Sequence, residues 1–221
     1  MKNINDYDKL DLFDQFFVKF PSFLPMNRSY SRVLELGPGL HPRSLPNRFF
    51  PIERYLAIDR DQKSIEQCKM LFSSPSATFE CVDIAQYLPE EEFDLIIDSS
   101  VLHCLESYDI WLRTFQNFSA SLSDGGVMIG EMAVKSDRMD FQEPYFYDEQ
   151  TSILYKDGKI NRLILDPKVV EKALLFCGFK IFFFTIPLGL KVIFDDSRDK
   201  IKAEDPDVLR YVVVKDRSNR Y

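Results

Sequence analysis

The chain has 221 residues, of which 45% are hydrophobic and 20 are phenylalanine, so its length and apolar content suit one α/β domain with a substantial core. Its 35 acidic and 28 basic residues give a net charge of −7, with both signs mixed along the sequence, which disfavours a nucleic-acid partner without excluding one. The 4 cysteines are widely spaced and match neither a zinc-ligand pattern nor a disulfide framework. We therefore expect no metal site, and reduced thiols in a cytoplasmic protein.

The sequence predicts no targeting segment and no membrane span. Its N-terminus lacks the apolar stretch of a signal peptide. The most apolar stretch, residues 181–194, is interrupted by Pro187 and Lys191 and is shorter than the roughly 20 residues that cross a bilayer. We interpret this stretch as a buried strand followed by a turn.

The predicted elements alternate between helices and strands, which is typical of a parallel sheet. The first is an amphipathic helix over residues 5–20, because Leu10, Phe13 and Phe17 recur at helical spacing. The predicted strands are residues 32–36, 55–58, 78–82, 93–97, 127–131, 179–185 and 209–214. The other predicted helices are residues 62–72, 110–122 and 167–175, of which the first is capped by Asp61.

No repeat, low-complexity tract or linker divides the chain, which predicts a single domain over residues 1–221. Within it, residues 1–31 are expected to form a helical lid. Residues 133–165 form the least regular stretch and are interpreted as an insertion on the substrate side. That insertion is rich in aromatic side chains, namely Phe141, Tyr145, Phe146, Tyr147 and Tyr155.

The most informative motif is residues 33–39, VLELGPG, in which an apolar run leads into a turn flanked by two glycines. A Gly-x-Gly turn at a strand end leaves the backbone open to a ligand, as in nucleotide-binding folds. Glu35 precedes this turn, and a carboxylate beside a pyrophosphate would repel it by roughly 4 kcal/mol at about 4 Å and an effective dielectric near 20. The motif therefore favours a nucleoside cofactor without phosphates.

With the segments that follow, this motif resembles the class I S-adenosylmethionine-dependent methyltransferases over most of the chain, about residues 32–214. The further similar segments are LAID at residues 56–59, CVDI at 81–84, FDLIIDS at 93–99 followed by VLH at 101–103, and LSDGGV at 122–127. The resemblance implies a Rossmann-like three-layer α/β sandwich. Its seven-stranded sheet would be mostly parallel, with the last strand antiparallel, and S-adenosyl-L-methionine would be the cofactor.

The resemblance also implies which residues bind that cofactor. The turn of the first motif would hold the methionine half, Asp59 would accept both ribose hydroxyls, and Asp83 would meet the adenine amino group while Ile84 packs on the ring. The full set of expected cofactor-binding residues is Glu35, Gly37, Pro38, Gly39, Asp59, Arg60, Asp83, Ile84, Asp98 and Ser99. The chain departs from the family pattern where a third glycine is common, since His41 stands there and Pro42 follows.

Two residues are candidates for a general base, which helps only when the acceptor must lose a proton. His103 follows the fourth strand, where open sheets bind ligands, and Glu131 ends the fifth. A lone histidine among apolar residues is more often a core or capping residue, so a structural role for His103 stays open. Cys104 is interpreted as a small buried thiol rather than a nucleophile.

The predicted function is methyl transfer to oxygen, nitrogen or sulfur of a small-molecule acceptor, with the oligomeric state left open. A protein or RNA methyltransferase and a cofactor-binding protein without turnover remain alternatives. A nicotinamide-dependent oxidoreductase is disfavoured, because the G-x-G-x-x-G pattern would need glycine where Pro42 stands.

Overall fold

The computed structural model describes residues 24, 28–40, 42, 52–72, 74–194 and 200–216. The predicted helix over residues 5–20 and the departure at His41 lie outside these described residues. Within them, no helix is both long enough and apolar enough to span a membrane.

Ten strands and three α-helices, numbered here in chain order, form the described part of the chain. The strands are β1 (Arg32–Leu36), β2 (Arg54–Asp59), β3 (Ala77–Cys81), β4 (Phe93–Asp98), β5 (Leu122–Val134), β6 (Tyr145–Asp148), β7 (Ile153–Lys156), β8 (Lys159–Leu163), β9 (Phe179–Thr185) and β10 (Asp207–Lys215). The helices are α1 (Gln62–Leu71), α2 (Tyr108–Ser121) and α3 (Pro167–Phe176), and a 3₁₀ turn covers Leu102–Cys104.

Seven strands form the main sheet, in the order β3-β2-β1-β4-β5-β10-β9. The pairs among β1 to β5 are parallel, whereas β10 is antiparallel to both β5 and β9. The predicted seven-stranded sheet with an antiparallel last strand is confirmed. The strand order reverses between β1 and β4, and in open α/β sheets ligands bind beyond the carboxyl ends of the strands at such a point.

Both faces of this sheet are buried, which explains the continuous apolar runs of its central strands. On one face Leu34 and Ile96 pack with Trp111 and Phe115 of α2. On the other face the buried cluster includes Val33, Tyr55, Leu95 and Ile97 together with Ile65 and Cys68 of α1. The sheet is thus the middle layer of three.

The helix starts follow from local capping. The side chain of Asp61 accepts hydrogen bonds from the N–H groups of Lys63 and Ser64, so the predicted cap of α1 is confirmed. Asp166 caps α3 by accepting the N–H of Lys168, and Pro167 stands in the first turn. Ser107 caps α2, which therefore begins two residues earlier than the sequence pattern indicates.

The stretch that the sequence marks as least regular contains a second, antiparallel sheet in the order β6-β7-β8. Its β7–β8 hairpin turns at Asp157 and Gly158, whose φ angles of 51° and 71° are typical of an Asp-Gly turn. Leu163 and Leu165 join the core cluster of the main sheet. Strand β8 lies against Leu102–Cys104, the 3₁₀ turn that follows β4. The small sheet therefore borders the carboxyl edge of the main one.

Candidate active site

The turn after β1 has two glycines with different surroundings, although both have positive φ, 65° at Gly37 and 57° at Gly39. A Cβ added to Gly37 would lie 2.7 Å from Cβ of Val101, so this glycine allows the turn to pack against the loop after β4. A Cβ added to Gly39 would meet no heavy atom of the described residues within 4 Å. The turn is therefore closed at Gly37 and open at Gly39, with Pro38 buried between them.

Glu35 lies beneath this turn and is fully buried. Its two carboxylate oxygens accept hydrogen bonds from the Tyr55 hydroxyl at 2.9 Å and the Ser99 hydroxyl at 3.0 Å. These bonds tie β1 to its neighbours β2 and β4. Glu35 and Ser99 bind each other and so connect the ends of β1 and β4, and the cofactor contact predicted for both residues stays a prediction.

Asp59, at the end of β2, keeps part of its hydrogen-bonding capacity. Oδ2 accepts the N–H of Gly39 at 3.1 Å and Oδ1 accepts the N–H of Asp61 at 2.9 Å, while the residue stays half-buried. A carboxylate has about four acceptor positions, so about two remain on Asp59. Arg60, the next residue, is exposed.

The end of β3 brings a second acid to the same edge of the sheet. Asp83 is exposed, and its Oδ1 accepts the N–H of Ala85 at 2.9 Å. Ile84 beside it is only 7% exposed. The edge therefore offers, in spatial order from β3 to β1, the carboxylate of Asp83, the carboxylate of Asp59 and the open turn at Gly39.

Asp98, at the end of β4, is fully buried and fully engaged. Oδ1 accepts the N–H groups of Val101 at 2.8 Å and Leu102 at 3.2 Å, and Oδ2 accepts the Tyr211 hydroxyl at 2.9 Å. Burial raises the pKa of Asp98 to about 7 despite these donors, and it also raises the pKa of Tyr211. Asp98 shapes the loop after β4, and the direct cofactor contact predicted for it does not fit this geometry.

Glu131, the second predicted base, is buried in an ion pair. Its Oε2 accepts from Nε of Arg210 at 3.1 Å, and its Oε1 accepts the Ser100 hydroxyl at 3.1 Å. Ser100 itself has a positive φ of 63°, an uncommon conformation for a residue with a side chain. Because both oxygens are engaged and Arg210 stabilises the ionised form, this geometry disfavours Glu131 as a general base.

The geometry of His103 also disfavours a general base. Its Nδ1 accepts the N–H of Ala133 at 3.3 Å, which assigns the ring proton to Nε2. Burial, with a smaller effect of the Arg162 charge, lowers the pKa of His103 to about 3. The ring is therefore neutral at physiological pH, and its remaining nitrogen is a donor.

The small sheet brings to His103 a cation that sequence reasoning missed. Arg162 of β8 lies over the ring of Phe194 at 5.4 Å from its centroid, and that ring is 6.0 Å from the ring of His103. The charge of Arg162 also acts on Cys104, whose pKa burial raises, so that this thiol is no nucleophile. The signal for this arrangement was the Asp157-Gly158 turn, which predicts the hairpin that carries Arg162.

A comparison with protein-family models matches residues 33–126 to a methyltransferase domain. The same fold recurs in a Listeria monocytogenes protein assigned to the S-adenosylmethionine-dependent methyltransferases, with TM-score 0.69, 17% identity, and 92% of this chain and 97% of that chain covered. It also recurs in the N-methyltransferase NodS from Bradyrhizobium japonicum, solved with S-adenosyl-L-homocysteine, with TM-score 0.61, 16% identity, and 97% and 93% covered. No curated protein sequence matches this chain. At 16% to 17% identity, these likenesses show a shared fold and nothing more.

The fold and the matched domain define a transferase of the Rossmann-like type. Residues 33–126 match a methyltransferase domain, and the cofactor that such a domain implies is S-adenosyl-L-methionine. The residues at the sheet edge fit that group, because an open glycine turn lies beside two carboxylates with unused acceptor positions. Such a set of acceptors suits a nucleoside that has hydroxyl and amino groups to donate and a positive charge to neutralise.

Proposed function

We propose that this enzyme transfers the methyl group to an oxygen, nitrogen or sulfur atom of a small-molecule acceptor. The observation that carries the proposal is the packing of β8 against Leu102–Cys104, because it walls the carboxyl edge of β4 with the small sheet. The cluster behind this wall contains Tyr145, Leu154 and Ile164, with Phe141 and Phe194 against it. An apolar and aromatic wall suits a compact acceptor better than a nucleic acid, whose phosphates the net charge of −7 would also repel.

On the cofactor side the roles follow from the open positions. Asp59 accepts the two ribose hydroxyls at its free acceptor positions, and Asp83 accepts the adenine amino group while Ile84 packs on the ring. Gly37, Pro38 and Gly39 form the turn along which the methionine half lies, and Arg60 borders it. When bound, S-adenosyl-L-methionine supplies an activated methyl group on a sulfonium, so the protein needs mainly to position the acceptor.

The buried polar residues act as positioning residues in this proposal. Glu35 and Ser99 hold the ends of β1 and β4 together, and Asp98 holds the loop that carries His103. Neither His103 nor Glu131 takes a proton. The acceptor atom consequently has a free lone pair when it binds, or loses its proton to water.

We also propose that residues 1–221 act as one domain, with residues 1–31 as a lid over the acceptor and residues 133–165 as the substrate-side insertion. The aromatic content of that insertion supports a planar or apolar acceptor. A cytoplasmic location is supported by the free thiols of Cys68, Cys81, Cys104 and Cys177.

Calorimetry of the Asp59→Asn variant tests the cofactor side. Asparagine keeps one carbonyl acceptor but loses the negative charge, so S-adenosyl-L-homocysteine should bind about 10-fold to 100-fold more weakly, or roughly 1.5 to 3 kcal/mol. Glu171→Gln, a matched charge loss at an exposed position of α3, should leave the affinity unchanged. Equal affinities in the two variants, or tight binding of NADH by the wild type, would overturn the assignment of Asp59.

A labelling experiment tests the acceptor class. The enzyme is incubated with S-adenosyl-L-methionine carrying a tritiated methyl group and with either the small-molecule or the macromolecular fraction of a cell extract. We expect label in the small molecules. Label only in protein or RNA would contradict the proposal. One structural neighbour of 12% identity, from Haloferax volcanii, was solved in complex with the Trm112 methyltransferase activator. A control reaction with added Trm112 is therefore included.

A further inference from the structure

Arg162 follows a β-bulge in β8, the strand of the small sheet that packs against Leu102–Cys104. Leu154 pairs with Arg162 and Tyr155 pairs with Ile160, so Asn161 is an extra residue that bulges out of β8. Bulges occur next to active sites because they re-aim the neighbouring side chain. Here the bulge accompanies the contact of Arg162 with the ring of Phe194.

The guanidinium of Arg162 has donors left over. Nη1 donates to the carbonyl of Asn161 at 2.7 Å, whereas Nε is buried without a hydrogen-bond partner. Among the residues that the structure describes, no carboxylate forms an ion pair with Arg162. The side chain of Asn161 also has a buried oxygen, Oδ1, without a partner. A donor atom and an acceptor atom that are both buried and unpaired at one bulge are costly unless a ligand pairs with them.

Arg162 belongs to the strand that packs against the 3₁₀ turn after β4, beside the proposed transfer site. Its charge acts on His103 and on Cys104, which belong to the 3₁₀ turn after β4. Cys104 is in turn within electrostatic range of Asp59, Arg60 and Asp98, at the ends of β2 and β4. The 3₁₀ turn is thus within electrostatic range of both Arg162 and the cofactor-side acids.

We infer that the methyl acceptor carries a carboxylate, which the Nε edge of Arg162 binds beside the ring of Phe194. The inference rests on the proposed small-molecule function. A guanidinium edge presents two parallel N–H groups that match the two oxygens of a carboxylate, and its charge persists at every pH of interest. Phe194, whose carbonyl accepts the Tyr145 hydroxyl at 2.5 Å, is held in place to contact the planar part of such an acid.

The test uses the full chain saturated with S-adenosyl-L-homocysteine and ligand-observed NMR with matched probes. The probes are benzoate and benzamide, phenylacetate and phenylacetamide, and phenyl phosphate. The wild type should bind at least one of the acids about tenfold to a hundredfold more tightly than its amide, as expected for hydrogen bonds to a charged group. Arg162→Gln should abolish that preference, and Arg162→Lys should keep part of it because only the fork is lost.

Lys159→Gln is the matched control, because it removes one positive charge from an exposed position of the same strand. It should retain the wild-type preference. An equal preference in wild type and Arg162→Gln, no acid bound by the wild type, or tighter binding of phenyl phosphate than of either acid would overturn the inference. A purely packing role for Arg162 would change the unfolding midpoint and leave the preference intact.

The same samples separate this inference from the proposed function. S-adenosyl-L-homocysteine is titrated first into each variant, and its affinity should not change in Arg162→Gln. If the cofactor product binds and the acid preference is missing, the inference fails while the proposed function stands. If the cofactor product does not bind the wild type, the proposed function fails.

Discussion

The two sides of the candidate active site differ in how completely their polar groups are paired. On the cofactor side Asp59 and Asp83 are partly or fully exposed and keep unused acceptor positions. On the acceptor side Asp98, Glu131 and His103 are buried, and each is held by groups of the protein itself. Arg162 is the exception there, with an unpaired buried donor.

This difference separates polar groups that can bind a ligand from polar groups that stabilise the fold around the site. A polar group that is already paired and desolvated contributes to stability, and removing its partner costs the full penalty of leaving it unpaired. A group with open positions can meet a ligand without losing an existing bond. Position at a strand end therefore does not by itself make an acid a ligand-binding residue, since Asp59 and Asp98 both hold such positions.

The largest effect is expected from breaking the Glu131–Arg210 pair. Glu131→Ala removes the buried carboxylate that pairs with Arg210, and removal of one member of a buried ion pair costs about 3 to 5 kcal/mol. The free energy of unfolding in urea measures this loss. Glu91→Ala in the exposed pair with Arg54 is the control and should cost at most about 1 kcal/mol.

Glu131→Gln sharpens the result, because glutamine can still accept from Ser100 and Arg210. If Glu131 only builds the site, this variant should recover stability and methyl transfer together. A variant that folds with wild-type stability but has lost methyl transfer would instead restore Glu131 as a general base, and the contrast between the two sides would fail.

A smaller effect is expected within the turn after β1, where one glycine is enclosed and the other is open. Gly37→Ala places a Cβ at 2.7 Å from Val101 and forces alanine into a left-handed backbone conformation. It should therefore destabilise the fold by about 2 to 4 kcal/mol. Gly39→Ala carries the same backbone cost of about 1 to 2 kcal/mol without a clash. Its Cβ would occupy the open side, so it should weaken binding of S-adenosyl-L-homocysteine.

Urea denaturation and calorimetry on both variants separate the two glycines. We expect Gly37→Ala to lose more stability and Gly39→Ala to lose more affinity relative to its stability. If both variants lose stability equally and bind equally, the turn has no open side and the proposed path of the methionine half is wrong.

The sequence predicted the main sheet and the cofactor-side acids because these features are local. A strand followed by Gly37, or by Asp59, is visible within a few residues, and the matched methyltransferase domain covers both. The bounds were less accurate: β5 was predicted over residues 127–131 and spans Leu122–Val134. Residues 123–126 lie opposite Asp94 alone in the pairing of β4 with β5, so the double glycine is part of an irregularity within that strand.

The acceptor side was harder to predict because its contacts join remote segments. Strands β6 to β8 are only 4 or 5 residues long, which is too short for a clear periodic pattern. The hydrogen bond that fixes the His103 tautomer comes from the N–H of Ala133, on another strand. The ring of Phe194 contacts both Arg162 and His103, and these three residues come from separate parts of the chain. The Asp157-Gly158 turn is a local signal for the β7–β8 hairpin, but the contacts that this hairpin makes with remote segments have no signal in the local sequence.

A further expected effect concerns the pH dependence of stability, where Asp98 and His103 act in opposite directions. The pKa of Asp98 rises from 3.8 to about 7 on folding, so its contribution is complete below pH 3.8 and is lost as the pH rises toward 7. The pKa of His103 falls from 6.5 to about 3, so its contribution is complete above pH 6.5 and is lost as the pH falls toward 3. Between pH 5 and 6.5 the two effects cancel.

Single variants should therefore show how each group alone changes the free energy of unfolding with pH, relative to the wild type. In Asp98→Asn the His103 effect is unopposed, and the free energy of unfolding should rise by about 2 kcal/mol from pH 5 to 6.5, relative to wild type. In His103→Asn, which keeps an acceptor for the Ala133 N–H, it should fall by about the same amount. Urea titrations at several pH values measure both, and all other titrating groups cancel in the comparison. Parallel curves for the three proteins would mean that neither group is desolvated, and the acceptor side would then have open polar groups like those on the cofactor side.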